Sequence, residues 1–341
     1  MTSVLYSEIF EQPAAIARVL TESLPEVRTL VSAIKSADIR YVALAARGTS
    51  DNAAIYAKYL LQILCGIPVM LTAPSVHTLY GGTVNYKNAL VIGVSQSGAG
   101  EDICEVVSAA RKAGALTAAI TNTEGSKLAQ TAEHLLPCRA GQEYAVAATK
   151  TYTTTLAIFA LIAAEWSENA DFTSGLKHIP EVAESALSVA EPTIPALAKT
   201  LFHAEKMLTV ARGPHFATAI EASLKIAETS GTTTQAFSSA DLLHGPIASV
   251  AGRTPCLLFA PAGKSAEGMT ELATKLAERN ARVIHLSPEI GADIPLVSPS
   301  DELLSPIVDI LPAQLLAYYL TLARGLDPDN PRGLSKVTIT R

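Results

Sequence analysis

Ala89-Leu90-Val91-Ile92-Gly93-Val94-Ser95-Gln96-Ser97-Gly98 is the stretch on which the reading of the fold turns. It opens as an unbroken apolar run, the pattern of a strand buried on both faces. It then changes to hydroxyls and glycine where such a strand should end. Main-chain N–H groups, serine donors and the start of a following helix converge there as an anion cradle. Ser and Gly also make ordinary turns, so the loop alone leaves both roles open. Upstream, Tyr41-Val42-Ala43-Leu44-Ala45-Ala46 ends in the same way on Arg47-Gly48-Thr49-Ser50-Asp51. In an open α/β sheet, ligands collect beyond the carboxyl ends of the strands, where the winding reverses. Thr49, Ser50, Ser95, Gln96 and Ser97 are therefore candidate phosphate-binding residues, working through neutral donors and a helix dipole. Their alternative role is to serve as turn and cap residues.

The pattern extends outward from these two loops. Residues 68–71, 116–121 and 134–138 read as further short strands, and 52–64 and the segment up to 113 as helices. Strands alternating with helices predict an α/β fold, a parallel sheet with helices on both faces. Residues 151–166 form a strongly apolar helix. Residues 167–200 are more polar and carry Pro180, Pro192 and Pro195, which marks a junction.

Beyond the junction the pattern restarts. Residues 207–213 echo the Arg47 region, 255–260 echo 90–94, and 281–286 echo 115–120. Arg47 and Ser95 lie 48 positions apart; Arg212 and Pro261 lie 49 apart. Two matched halves indicate an internal duplication. They differ at one place: Pro261-Ala262-Gly263 stands where the first half has Ser95-Gln96-Ser97. The cradle is therefore expected in the first half alone. The predicted layout is a helical arm at 1–28, a first domain at 29–166 and a helical linker at 167–197. A second domain follows at 198–329 and a tail at 330–341. Within the arm, residues 5–24 read as amphipathic helix broken near Pro13.

Composition narrows the function. Apolar residues make up 49% of the chain and charged residues 17%, with a net charge of −6 and no Lys/Arg block. This argues against a nucleic-acid or anionic-membrane partner. Cys65, Cys104, Cys138 and Cys256 are scattered, without metal-ligand spacing, and fit a reducing cytoplasm. The segment containing Glu8 and Glu11 does not read as a signal peptide. Residues 303–323 come closest to a membrane span, but Pro306, Asp309, Pro312 and Gln314 interrupt them, so a soluble protein is expected.

Three features of the second half and the tail bear on chemistry. Lys225 and Glu228, on a helix predicted over 217–229, share one face. Spacing alone makes them a solvent-exposed ion pair. His244-Gly245-Pro246 follows the small polar loop 238–241, which poises His244 for a site, although a lone histidine is more often structural. Lys336 lies in Asn330-Pro331-Arg332-Gly333-Leu334-Ser335-Lys336-Val337-Thr338. Leu334, Val337 and Ile339 would let this tail pack down. A lysine folded over a sugar site can form a Schiff base with a ketose or pair with its phosphate. The default is a solvated terminal lysine.

Taken together and in order, these residues resemble the tandem sugar-isomerase (SIS) domain family. That family includes glucosamine-6-phosphate deaminases and the isomerase half of glucosamine-6-phosphate synthase. The resemblance covers nearly the whole chain. It also includes Glu8-Ile9-Phe10-Glu11-Gln12-Pro13, Val146-Ala147-Ala148-Thr149-Lys150 and Leu242-Leu243-His244-Gly245-Pro246. It implies two flavodoxin-like SIS domains in a homodimer with a shared active site. The ligand is a phosphorylated sugar or amino sugar, and no metal or redox cofactor is needed.

By the same resemblance, Thr49, Ser50, Ser95, Gln96 and Ser97 match the sugar-phosphate loops, and Val146 a backbone contact to the sugar. Glu228 matches the base that moves a proton between C1 and C2, and Lys225 its assistant. His244 matches the ring-opening histidine donated by the partner subunit, and Lys336 the tail lysine that closes over the ligand. The implied reaction is deamination and isomerisation of glucosamine 6-phosphate. The alternatives are a fructosamine-phosphate deglycase, a galactosamine-6-phosphate deaminase/isomerase, or a non-enzymatic sugar-phosphate sensor. The sequence departs from the family pattern at Ala99, Gly100, Ala148 and Ala227. Thr2 stands where the synthase has its nucleophilic cysteine, so glutamine hydrolysis is not expected.

Overall fold

The computed structural model describes residues 3–336. Thr2, Val337 and Ile339 lie outside the described residues. The chain opens with α1 (Val4–Phe10), α2 (Gln12–Glu22) and α3 (Leu24–Ser36). The first alternating series is β1 (Tyr41–Ala45), α4 (Thr49–Cys65), β2 (Val69–Leu71), α5 (Ser75–Thr78) and β3 (Ala89–Val94). It continues through α6 (Glu101–Lys112), β4 (Leu116–Thr121), α7 (Lys127–Thr131) and β5 (His134–Pro137). Four helices follow: α8 (Lys150–Ser167), α9 (Ala170–Lys177), α10 (Ile179–Ala190) and α11 (Ile194–Leu201). The second series is β6 (Lys206–Ala211), α12 (Phe216–Ser230), β7 (Thr233–Ser238), α13 (Ser239–Leu243) and β8 (Pro255–Phe259). It ends with α14 (Met269–Glu278), β9 (Arg282–Ser287), β10 (Ile294–Pro295) and α15 (Ser305–Ala323).

Each series builds one five-stranded parallel sheet. The orders are β2-β1-β3-β4-β5 and β10-β9-β8-β6-β7. Read from the other edge, the second is β7-β6-β8-β9-β10, the same winding as the first. The duplication is thus present at the level of topology, and in each sheet the winding reverses between the first and third strands. That is the β1/β3 boundary in one sheet and the β6/β8 boundary in the other.

The chain divides into two compact units. One holds the first sheet with Ala14–Glu143, Lys150–Lys177, Ser335 and Lys336. The other holds the second sheet with the residues up to Pro13, Tyr144–Thr149 and His178–Leu334.

In the first unit β3 is buried along its whole length, as a strand covered by helices on both faces must be. Val91, Ile103, Val107 and Leu128 form part of its core. α6 carries Glu101 and Asp102 in its first turn and Arg111 and Lys112 in its last, which complements the helix dipole. α8 buries Thr151, Thr153, Thr154 and Thr155. The hydroxyls of Thr153, Thr154 and Thr155 donate to carbonyls three or four residues back and that of Thr151 to the Glu143 carboxylate, so these polar side chains lose no hydrogen bond on burial.

In the second unit Val210, Leu258, Leu272 and Leu276 are core, and α10, α11 and α12 pack on α15. α15 is apolar and long enough to span a bilayer, but 94% of its apolar window is buried inside the protein. Its Gln314 accepts from Gln12 Nε2 at 2.6 Å.

Two sequence expectations change, while the N-terminal helix breaks near Pro13 as expected, at Glu11. Pro13 lies in the first turn of α2, where a missing N–H costs nothing. Residues 233–243 form β7 and α13, although 238–241 read as loop. β7 lies at the edge of its sheet and is only partly buried, so its sequence carries no apolar period. Cys65, Cys104 and Cys256 lie in apolar runs that read as core; Cys104 and Cys256 are buried, as is Cys138, whereas Cys65 at the end of α4 is half-buried. All four are free thiols.

Candidate active site

The first sheet gathers all five predicted phosphate-loop residues at its switch point. β1 and β3 are paired in register up to Ala45 and Gly93, so the loops that follow them leave from the same edge. Thr49 and Ser50 open α4. Ser95, Gln96 and Ser97 follow β3 directly. The serine loop is fastened to β4: Ser95 N donates to Ile120 O at 3.0 Å, and Gln96 O accepts from Asn122 N at 3.0 Å. Thr121 Oγ1 adds a bond to Gln96 O at 3.2 Å.

The turn needs a glycine at position 98. Its φ is +61°, and a Cβ there would overlap the Ser126 side chain. Gly98 N donates to Ser95 Oγ at 3.2 Å and Ala99 N to Ser97 Oγ at 3.3 Å. Both hydroxyls thus act as acceptors within the loop and keep their own protons to donate. Among the described residues, the N–H groups of Gln96, Ser97 and Gly100 have no acceptor. Convergent N–H and hydroxyl donors at a strand end make an anion nest.

Charge is present beside the nest. Arg47 Nε donates to Asp102 Oδ2 at 2.8 Å, and the Asp102 side chain is only 3% exposed. Asp51, partly buried in the first turn of α4, has its pKa raised by burial, with the nearby Arg47 opposing the shift.

The second unit holds the predicted acid–base pair, in a different setting from the one spacing indicated. Lys225 Nζ donates to Glu228 Oε2 at 2.5 Å and lies 3.5 Å from Glu221 Oε1. The side-chain exposures are 3% for Lys225, 0% for Glu221 and 25% for Glu228. The solvent-exposed pair is thus corrected to a buried lysine clamped between two carboxylates. The reason is tertiary: α12 packs against α15, β6 and β7, and Glu221 and Lys225 are buried in the fold. Glu228 stays partly open and lines a cavity of about 830 Å³ with Ser230, Gly325, Asn330 and Arg332. This pair sits near the C-terminal end of α12, away from the β6/β8 crevice of its own sheet.

His244 caps the end of α13, where its N–H donates to Asp241 O at 3.1 Å. It is exposed, and among the described residues its ring makes no hydrogen bond. Val146 lies in an irregular segment held by Glu8, whose carboxylate accepts from Tyr144 N at 2.6 Å and Ala145 N at 3.2 Å. Glu8 is 2% exposed, so the N-terminal motif fixes the backbone beside Val146.

Lys336 belongs to the first-sheet unit, and it is not the solvated terminal lysine that a polar tail implies by default. Its ammonium pairs with Glu143 Oε2 at 2.9 Å. The fully buried Glu143 side chain also accepts from Thr151 N and Thr151 Oγ1, each at 3.0 Å. One carboxylate therefore caps α8 and holds the tail.

Asp102, Glu143 and Glu221 were not singled out by sequence reasoning, and Glu8 entered it only as part of the N-terminal motif. Only Glu221 carried a usable signal, its four-residue spacing from Lys225. The others act across separations that no local pattern encodes.

Comparison with known proteins places these features in context. The model of the SIS domain family matches residues 37–164 and 200–324. The chain is 33% identical to a glutamine–fructose-6-phosphate aminotransferase (isomerizing) from Gloeobacter violaceus, over 97% of this chain and 58% of that protein. It therefore spans little more than half the length of such relatives. Among solved structures, the C-terminal domain of glucosamine-fructose-6-phosphate aminotransferase from Francisella tularensis superposes with a TM-score of 0.86. The identity is 25%, with 97% of this chain and 99% of that one covered. Glucosamine-6-phosphate deaminase from Thermotoga maritima shares the fold at a TM-score of 0.76 and 21% identity, over 96% and 100% of the two chains.

Proposed function

The chain belongs to the SIS-domain family, and from that premise we propose that it is an amino-sugar-phosphate isomerase/deaminase. Its substrate is glucosamine 6-phosphate, converted with water to fructose 6-phosphate and ammonia. The observation that carries this reading is Glu228, a partly open carboxylate on the wall of a cavity, oriented by the buried Lys225. A single carboxylate so held suits a proton moved between adjacent carbons on one face of a sugar.

In the proposed sequence His244, donated by the partner of a homodimer, opens the sugar ring. An imidazole can both accept and donate a proton, which suits that exchange. Glu228 then takes the proton from C2 and returns it to C1. The 2-amino aldose becomes a 2-imino ketose, water adds to its C2, and ammonia leaves. The phosphate is held by Thr49, Ser50, Ser95, Gln96 and Ser97 through neutral donors. Val146 contacts the sugar through its backbone, and Lys336 closes over the ligand. Nothing in this route calls for a metal or redox cofactor. A cytoplasmic setting completes the proposal.

The decisive assay measures ammonia and fructose 6-phosphate released from glucosamine 6-phosphate by the purified protein. Equal release of both is expected. Glu228→Gln should lower turnover by about 10²- to 10⁴-fold while ligand binding survives. Unchanged turnover in that variant would overturn the role of Glu228. Turnover confined to phosphorylated fructosamines or galactosamine 6-phosphate would move the activity within the family. Binding without turnover of any of these would make the protein a sensor.

A further inference from the structure

We infer that Arg47, clamped by Asp102, is the cationic contact to the substrate phosphate; this rests on the sugar-phosphate reading above. Arg47 lies two residues beyond the end of β1, and Asp102 lies in the first turn of α6, after β3. The two strands are neighbours, so the ion pair ties together the two hydroxyl-bearing loops across the switch point.

The clamp is rigid at one end and open at the other. Asp102 is buried, and its second oxygen accepts from Ile103 N at 2.9 Å. It holds the guanidinium by Nε alone. The Arg47 side chain is 53% exposed. Among the described residues its two Nη groups donate no hydrogen bond. An arginine needed only to neutralise Asp102 would have no reason to leave its forked end in the open. Two coplanar Nη donors match two oxygens of a phosphate.

The charge balance leads to the same residue. A phosphate monoester carries about −1.5 to −2 near neutral pH. Thr49, Ser50, Ser95, Gln96 and Ser97 offer only neutral donors. Asp51 and Asp102 bring carboxylates to the same loops. Arg47 is the single Lys or Arg in 41–57 and 89–110, so no other residue of these segments can supply positive charge.

The test is calorimetric titration of the full chain with inorganic phosphate, which needs no knowledge of the sugar. Wild-type protein is expected to bind, less tightly as salt rises. Arg47→Gln should bind about 10- to 100-fold more weakly, with the circular dichroism of a folded protein. Affinity within twofold of wild type would overturn the inference. Should Arg47→Gln fail to fold, Arg47→Lys decides. It keeps a cation against Asp102 but loses the fork, so a several-fold loss supports the inference and equal affinity overturns it. If wild-type protein binds neither inorganic phosphate nor a sugar phosphate, the sugar-phosphate reading itself falls. If wild type binds and Arg47→Gln binds equally, only the role of Arg47 falls.

Discussion

The β1/β3 crevice and the β6/β8 crevice are built on one winding, yet they dispose of their donors in opposite ways. After β3, the loop Ser95–Gly98 leaves N–H groups without acceptors among the described residues. After β8, the matching loop spends its N–H groups on the chain itself: Lys264 N and Ser265 N both donate to Glu302 Oε2. Each loop turns on a glycine with positive φ, +61° at Gly98 and +106° at Gly263. A Cβ at Gly263 would overlap the Glu302 carboxylate.

The loops after the first strands diverge in the same sense. Ser50 follows β1, partly exposed. His215, at the matching place after β6, is fully buried against Asp309 at 2.9 Å. An anion nest favours a negative charge wherever it forms. In the second half the protein provides that charge from Glu302; in the first, the proposed function assigns it to the substrate phosphate. The proposed acid–base pair of the second half, Lys225 and Glu228, lies elsewhere, near the far end of α12.

The comparison is most exposed to failure at the paired positions 50 and 215. Removing the imidazole in His215→Ala strands the buried Asp309 carboxyl and should cost about 3 kcal/mol or more. Ser50→Ala should stay within about 0.5 kcal/mol of wild type while weakening phosphate binding. Urea midpoints of the two variants make the check. Equal losses would mean that the two crevices are equally structural.

A smaller effect is expected where the second nest is unplugged. Glu302→Ala should lose about 2 kcal/mol, the worth of hydrogen bonds to a charged acceptor. Inorganic phosphate should return part of that loss by occupying the vacated donors. Thermal midpoints with and without phosphate sharpen the comparison. A phosphate-induced rise no greater than that of wild type would show that the second loop is not a nest in its own right.

The smallest effect concerns pH and Asp51, whose counterpart in the second half is Phe216. Burial raises the Asp51 pKa above its ordinary 3.8. The folded state thus keeps a proton that the unfolded state has released. Stability falls as pH rises from the ordinary aspartate range through the raised value, then levels off. Asp51→Asn removes this loss. It should be more stable than wild type above that window, and the difference should vanish below the ordinary range. Unfolding free energies measured from acid to neutral pH test the sign, and a gap that persists into acid would contradict it.

Much of this organisation was legible in the sequence because it rests on local patterns. The apolar run at 89–92 and the echo of 90–94 at 255–260 gave the buried strands. The matched spacing of the two halves gave the duplication, and the hydroxyl-rich loops gave the phosphate candidates. β7 escaped because an edge strand needs no apolar period. Spacing alone read Lys225 as exposed, because a three-residue spacing does not say which face of a helix packing will bury.

The division has a physical basis. By itself, the sequence determined the α/β class, the parallel strands, the repeat and the family, since hydrophobic periodicity and turn chemistry act between residues close along the chain. Only the tertiary structure decided that Asp102 clamps Arg47, that Glu143 holds Lys336 and caps α8, and that Glu302 fills the second nest. Those outcomes depend on which distant carboxylate reaches which desolvated donor. That choice is made by packing, because an unpaired charge or N–H group is costly only once water has been excluded.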